Sequence, residues 1–387
     1  MEMKQYLSDM FVTTFQVEPE KFYSCGGRFE VIGNHTDHNH GLCIAATCNL
    51  SVYAAASKRD DMIVKILSEG YGYYEIDLSR LDKLSEEEGH PTALIRGIAR
   101  HLSEQFKIGG FEVYVKTEIP KGAGVSSSAA FELLISELFN SLHNNKEIPL
   151  IELCKASQHA ENYYYGKQSG LLDQIGVAYG GLVYIDFETV THPIVESLNP
   201  NLKEYQFIIV NTGGSHAELS EQYASIPKDM FKVADYFSKG FLREVDYKDI
   251  LNNKDAIIEQ CGLLAYQRAE HFLKENERVH QAHLAIKDNN IPLLIKLMNE
   301  SRKSSTELLQ NMYYKKKGGS PLEACELVYK ASNKKAGVKV NGGGFAGSVI
   351  ALVPKSEVSN VTKAAKAKYG KDNVYVVDIR NETPSEF

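Results

Sequence analysis

Four short segments of this chain concentrate residues able to do chemistry. Pro120-Lys-Gly-Ala-Gly-Val-Ser-Ser-Ser-Ala-Ala130 joins two glycines to three consecutive serines. Glycine removes the Cβ that would hold a ligand off the backbone or bar positive φ. Hydroxyls and unpaired N–H groups at a helix start, where the dipole favours negative charge, then suit a phosphate. A plain strand-to-helix turn has the same composition, so this segment alone decides little. It is not a Walker A loop, because no Lys-Ser or Lys-Thr follows four residues after a glycine. Nor does the chain contain the His-Arg-Asp or Asp-Phe-Gly of the protein kinases.

The second segment is Gly27-Arg-Phe-Glu-Val-Ile-Gly-Asn-His-Thr-Asp-His-Asn-His40, in which His35, Asp37, His38 and His40 are all metal-ligand types. Tight alternation on one loop converges poorly on a tetrahedral ion, and no second cluster supplies further ligands. The other reading is a set of donors and acceptors for a polyhydroxylated ligand, with Arg28 facing developing negative charge. In the third, Gly170-Leu-Leu-Asp173-Gln174, an acid follows a glycine turn in an otherwise apolar stretch, as a helix cap or as a reacting group. The fourth, Gly342-Gly-Gly-Phe-Ala-Gly347, precedes an apolar strand, where main chain can pack tightly against other main chain or a phosphate.

These segments sit at the ends of regular elements. Phe111–Ile119 alternates apolar and polar residues like a half-buried strand, and Ala129–Phe139 reads as an amphipathic helix. The first loop is therefore a strand–glycine turn–helix unit. Phe22–Ile32 is a strand entering the polar loop, and Cys43–Ser57, Met62–Leu67 and Tyr73–Leu78 follow as strands. A short helix and lead-in are expected over Met1–Glu20, and helices at Thr92–Phe106 and Pro149–Tyr165, the last carrying Glu161. Leu182–Phe187 and Phe207–Val210 are strands, with a boundary at 190–206, where Thr191-His-Pro and Asn199-Pro cluster. Beyond it come a loop at Asn211–Tyr223, one long helix over Lys254–Ile286, and further helices at Pro292–Ser304 and Pro321–Lys334. Lys315-Lys-Lys-Gly-Gly reads as a solvated turn. Val338–Val340 and Ser348–Val353 are strands, Ser356 caps a helix ending at Gly370, and Asn373–Ile379 closes as a strand.

At 387 residues the chain exceeds what one core usually fills, so two domains are expected, 1–200 and 201–387. A net charge of −7 argues against a nucleic-acid or anionic-membrane surface while leaving room for a local basic pocket. No window approaches the roughly 18 apolar residues of a spanning helix, and no signal-peptide core follows the N-terminus. A cytoplasmic location is expected. The six cysteines form no Cys-x-x-Cys pair and read as reduced, mostly buried residues.

Taken together, the four segments resemble the motifs of the GHMP small-molecule kinases and, within them, most closely those of the galactokinases. Gly27-Arg-Phe-Glu-Val-Ile-Gly-Asn-His-Thr-Asp-His38 matches the family's Gly-Arg-x-x-x-Ile-Gly-Glu-His-Thr-Asp-Tyr. Pro120–Ala129 matches Pro-x-Gly-x-Gly-Leu-Ser-Ser-Ser-Ala, with Val125 for Leu. Gly170–Gln174 matches Gly-x-Met-Asp-Gln, and Gly342–Gly347 matches Gly-Gly-Gly-Phe-Gly-Gly with Ala346 for one glycine. The resemblance implies an α+β, two-domain GHMP kinase fold, with a ribosomal-S5-like N-terminal domain and a ferredoxin-like C-terminal domain. It implies phosphorylation of a hexose at its anomeric hydroxyl by ATP with Mg²⁺, the partners being a small sugar and the nucleotide.

Carried over by position, Asp173 is the catalytic acidic residue and Arg28 its partner. Gly122, Ala123, Gly124, Val125, Ser126, Ser127 and Ser128 hold ATP, and Ser128 with Glu161 faces the metal. Asn34, His35, Asp37, Gly170 and Tyr223 line the sugar. Three departures bear on the sugar. Asn34 stands where galactokinases carry Glu; His38 and His40 replace Tyr and Gly; and the arginines expected around Tyr223 are missing, with Ser215 at one position. An amide in place of a carboxylate removes repulsion toward an anionic C6, which makes galacturonate the alternative to galactose, with N-acetylgalactosamine a further related sugar. A non-catalytic sensor of sugar and ATP is the alternative from another class.

Overall fold

The computed structural model describes residues 2–213, 219–313 and 320–387. Its first half runs α1 (Glu2–Phe15), β1 (Lys21–Ile32), β2 (Leu42–Lys58), β3 (Ile63–Ser68), β4 (Gly72–Asp77), α2 (Pro91–Leu102), β5 (Phe111–Thr117), α3 (Ser127–His143), α4 (Leu150–His159), α5 (Leu172–Ala178), β6 (Leu182–Asp186) and β7 (Ile194–Leu198). The second runs β8 (Tyr205–Asn211), α6 (Ser220–Tyr236), α7 (Tyr247–Asn252), α8 (Lys254–Cys261), α9 (Leu263–Lys287), α10 (Ile291–Ser304), α11 (Pro321–Ala331), β9 (Gly337–Asn341), β10 (Ser348–Pro354), α12 (Val358–Tyr369), β11 (Val374–Val377) and β12 (Ser385–Glu386).

The larger sheet has the order β12-β1-β2-β5-β3-β4, with β6 and β7 extending from β2. Its pairs are antiparallel except β3 with β5. Because side chains alternate across a strand, β2 presents Ala54 and Ala56 to the main core and Ala55 to α1, where Leu7, Phe11 and Tyr114 pack. The smaller antiparallel sheet is β11-β8-β10-β9. Its Ile208, Val210, Val338 and Val349 face Val328 of α11 and Val361 of α12. Its other face joins the main core through Phe207, Ile209, Ile350 and Leu352, alongside Val279 and Ile286 of α9. The two halves therefore share one apolar interior.

Several expectations are corrected here. The long helix breaks at Gly262, whose φ of +96° ends α8 before α9 begins. The stretch read as an interdomain boundary contains β7, paired with β6 from Ile194 to Leu198 between the two proline-bearing turns. Ser356 lies in a short 3₁₀ turn, with Glu357 preceding α12. The tail crosses back: Ile379 bridges Cys48 and β12 pairs with β1, so the second half does not run uninterrupted to the end. The Lys315 turn and Ser215 lie outside the described residues.

Candidate active site

Arg28 lies between two register shifts in the β1–β2 ladder, at Gly26/Arg28 and Glu30/Ile32. Bulges of this kind re-aim side chains, and here the guanidinium turns under the glycine loop. The loop docks on β1 through the Arg28 N–H, which donates to Val125 O at 2.8 Å. Only glycine fits at 124: its φ is +73°, and a Cβ there would lie 2.0 Å from Ser348 Oγ. The Gly124 carbonyl accepts from Arg28 Nη1 (3.0 Å) and Asn341 Nδ2 (2.9 Å), tying the loop to both sheets. Ala123 and Val125 are buried, Gly122 and Ser127 are exposed, and Ser126 has a left-handed φ of +52° immediately before α3. A non-glycine residue held there stores strain of the sort found at ligand clamps.

Asp173 opens α5 directly opposite. Its Oδ1 accepts from Arg28 Nε at 2.8 Å and pairs with Nη2 at 2.7 Å, while its Oδ2 accepts a short hydrogen bond from Ser126 Oγ. Burial pushes the Asp173 carboxyl pKa up, but Arg28 and Lys167 together with the Ser126 hydroxyl outweigh it and hold it below the usual value. The group is ionised at neutral pH.

Glu161 occupies a π-helical turn, Ala160–Tyr165, which continues α4. Such turns shift side-chain register and recur at functional sites. The carboxylate is 2 % exposed and surrounded by donors: Ser128 Oγ at 3.3 Å, Ser169 Oγ at 2.6 Å, Gln174 Nε2 at 3.2 Å and Lys167 Nζ at 2.5 Å. Lys167 and Ser169 were not singled out in the sequence. Their signal was two polar donors inside Gly166-Lys-Gln-Ser-Gly170, immediately before the acid. Gln174 also donates to the buried Glu132, whose pKa burial pushes well up.

The polar loop lies on the other side of Asp173. A Cβ at Gly170 would sit 2.0 Å from Asp37 Oδ2, so this glycine is what lets Asp37 approach the segment carrying Asp173. Burial, then the Asp173 and Glu30 charges, push the Asp37 pKa up to about 7. His35 Nε2 donates to Gly343 O at 2.9 Å, and burial lowers its pKa to about 4, so it is neutral. Tyr223 OH donates to Gly344 O at 2.9 Å, and a Cβ at Gly343 would strike the Tyr223 ring. These residues converge through the Gly342–Gly347 turn. Among the described residues no group of three or more His, Cys, Asp or Glu is placed to hold a metal ion.

Asn34 is the exception. It is 0 % exposed, and its amide is committed inside the protein. Nδ2 donates to Gly342 O (2.7 Å) and Glu30 (3.2 Å), while Oδ1 accepts from Asn311 Nδ2 (2.8 Å). It lies in the floor beneath the loop and offers no free group to a ligand.

The comparisons with known proteins fall on these same segments. The galactokinase galactose-binding signature matches residues 9–58, which contain Arg28, Asn34, His35 and Asp37. The GHMP kinases N terminal domain matches residues 93–181, which contain the glycine loop, Glu161 and Asp173. The chain is 30 % identical over 360 residues to a galactokinase of Glaesserella parasuis, covering 89 % of this chain and 88 % of that one. A Staphylococcus saprophyticus galactokinase is 29 % identical over 377 residues, covering 95 % and 94 %. The structure of Lactococcus lactis galactokinase complexed with galactose superposes with a TM-score of 0.86 at 26 % identity over the whole of both chains. A mevalonate kinase from Methanococcus jannaschii, at 16 % identity and TM-score 0.64, shares the fold. With the fold, the sugar signature and near end-to-end similarity in agreement, the chain is a sugar kinase and belongs to the galactokinase family of GHMP kinases.

Proposed function

We propose that this enzyme transfers the γ-phosphoryl group of ATP to the anomeric hydroxyl of galactose, giving galactose 1-phosphate and ADP in the cytoplasm. The observation carrying this reading is the convergence of Arg28 and Asp173, at 2.7–2.8 Å, between the glycine loop and the Asp37 loop. The triphosphate rests on the amides of 122–128, and the sugar lies against His35, Asp37, Gly170 and Tyr223. Asp173, held ionised, orients the anomeric hydroxyl and takes its proton late, as the oxygen becomes acidic on attack. Arg28 stabilises charge developing on the transferred group, the main demand of phosphoryl transfer.

Ser128 and Glu161 suit Mg²⁺, a hard ion that binds through one or two protein oxygens plus phosphate. An ammonium, Lys167 Nζ, already lies against the Glu161 carboxylate, so the position attracts a cation. When bound, the ion would neutralise charge across the β- and γ-phosphates. The galacturonate alternative needs Asn34 to face the ligand; with its amide committed to Gly342, Glu30 and Asn311, that support is gone. No helix of the described residues is long and apolar enough to cross a membrane. An ADP-release assay with galactose, galacturonate and N-acetylgalactosamine tests the reading. The expected kcat/KM is highest for galactose, and no turnover of galactose would overturn it.

A further inference from the structure

Every polar group of Asn34 is gripped by the protein, and nearly all the partners come from the other half of the chain. Its N–H donates to Glu275 Oε1 at 3.3 Å, beside the Gly33 N–H at 3.1 Å on the same oxygen. Its carbonyl accepts from His271 Nε2 at 3.0 Å. Its side chain takes a donor from Asn311 and gives one to the Gly342 carbonyl, as described above. His271 and Glu275 are four residues apart on α9 and so share one face. Asn311 follows a second π-helical turn, Ser305–Leu309. Glu275, His271 and Asn311 are all 0 % exposed.

The support behind these residues is equally specific. A carbonyl can only accept, so His271 must carry its proton on Nε2, and Nδ1 then accepts from Ser304 Oγ at 2.8 Å. Glu275 is braced by Ser301 Oγ at 2.5 Å and Arg278 Nε at 2.8 Å. Burial raises the Glu275 pKa, but Arg278, then His271 and Ser301, bring it to about 2, so it stays an acceptor at working pH. Directly beyond Asn34 the chain takes a left-handed turn at His35, φ +59°, and delivers Asp37. The direction in which that loop leaves residue 34 is therefore set by α9 and the segment after α10.

We propose that Glu275, His271 and Asn311 form a socket for residue 34 and act as positioning residues for sugar binding, controlling the sugar site independently of the nucleotide site. This rests on the reading that the loop beyond Asn34 holds the sugar. The socket touches neither the glycine loop nor Glu161, so disturbing it moves one substrate and spares the other. Misplacing a binding group by about 1 Å can cost about 10²-fold, so a partial loosening should reach at least tenfold.

The test uses the full-length protein with Glu275→Gln, Asn311→Ala and Ser304→Ala. Sugar and ATP KM are measured separately, sugar Kd is measured by calorimetry without nucleotide, and melting temperature is recorded. Glu275→Gln and Asn311→Ala are expected to raise sugar KM and Kd together by about tenfold or more, with ATP KM changed less than about twofold. Ser304→Ala, which removes only the brace on His271, is expected to show the same split at about two- to threefold. A lowered melting temperature with both KM values unchanged would show a merely structural role and overturn the proposal, as would an equal rise in both. If Glu275→Gln does not fold, the other two variants decide by the same criterion. The split is read with whichever sugar the ADP-release screen selects. A substrate other than galactose therefore defeats the functional reading and leaves this test intact.

Discussion

The two sides of the active site are built differently. On the phosphate side, the glycine loop, Arg28, Glu161 and Asp173 all come from the first half of the chain, and Gly122 and Ser127 are open to solvent. On the sugar side, the loop after Ile32 has Asn34, Thr36 and Asn39 buried and His35 and Asp37 half-buried, and it is held from the second half by α6, α9 and the Gly342–Gly347 turn. His40 stacks on Phe241 at 3.6 Å, Asn39 Oδ1 accepts from Leu242 N at 3.1 Å, and Leu42 N donates to Asn276 Oδ1 at 2.8 Å. A triphosphate is recognised by main-chain amides and a few charges, which a local strand–turn–helix can supply. A sugar is recognised by the directions of several hydroxyls, which requires rigid walls from more than one element.

Breaking the charge pair should have the largest effect. Asp173→Asn keeps Oδ1 as acceptor for Arg28 and can donate from Nδ2 to Ser126 Oγ, so the fold should survive, while the group that takes the proton is lost. Steady-state assays are expected to show kcat reduced by at least about 10², with both KM values little changed. Near-normal kcat would remove Asp173 from the chemistry. Arg28→Ala should cost about 10³ or more in kcat/KM, and it also leaves Asp173 without its buried counter-charge.

Two substitutions sharpen the contrast between the sides. Gly170→Ala places a methyl 2.0 Å from Asp37 Oδ2, forcing the carboxylate away. Overpacking of this kind costs about 1–3 kcal/mol, so sugar KM should rise roughly tenfold while ATP KM holds. Lys167→Met removes the ammonium beside Glu161 and near Asp173. With Mg²⁺ in its place on Glu161, the ammonium is free to bond the triphosphate, and charge-assisted hydrogen bonds contribute about 1.5–3 kcal/mol, so ATP KM should rise about tenfold with sugar KM unmoved. If either variant moved both KM values equally, the two sides would not be separable in this way.

The same asymmetry decides what was legible in the sequence. The phosphate side could be read because its parts are local: glycines and serines within eleven residues, between an alternating strand and an amphipathic helix. Arg28 and Asp173 were legible as partners only through the family resemblance, because the β1 bulges flanking Arg28, which pairs with Asp173 at 2.7 Å, leave no local pattern. The sugar side was legible only as a polar loop. The supports of Asn34 on α9 are 237 and 241 residues away, within a stretch legible only as one long helix over Lys254–Ile286. No local signal set them apart: His271 and Glu275 stand among Glu270, Lys274, Asn276, Glu277 and Arg278, so on so polar a helix they read as solvent-facing residues. Asn34 misled for a related reason: residue type shows that a group can bind, and only packing shows which way it points. β7 was missed because Thr191-His-Pro and Asn199-Pro bracket it with turn signals.

The smallest expected effect comes from Asp37, and pH reads it. An unfolded aspartate titrates near pH 4, whereas the folded one is raised to about 7 by burial, Asp173 and Glu30. Between those values the folded chain holds a proton that the unfolded chain has released, so stability falls as pH rises through the window and the cost is complete above pH 7. Asp37→Asn removes that cost. Its melting temperature should therefore gain on the parent from pH 5 to pH 8 and then run parallel, the gain amounting to about 1–3 kcal/mol. Sugar hydroxyls donating to Asp37 favour its ionised form. Galactose affinity in the parent protein should accordingly rise with pH through 7, and Asp37→Asn should bind more weakly without that slope. Parallel melting curves at every pH, with the affinity slope retained in the variant, would place the titrating group elsewhere and leave Asp37 as a wall of the sugar site with no proton to lose.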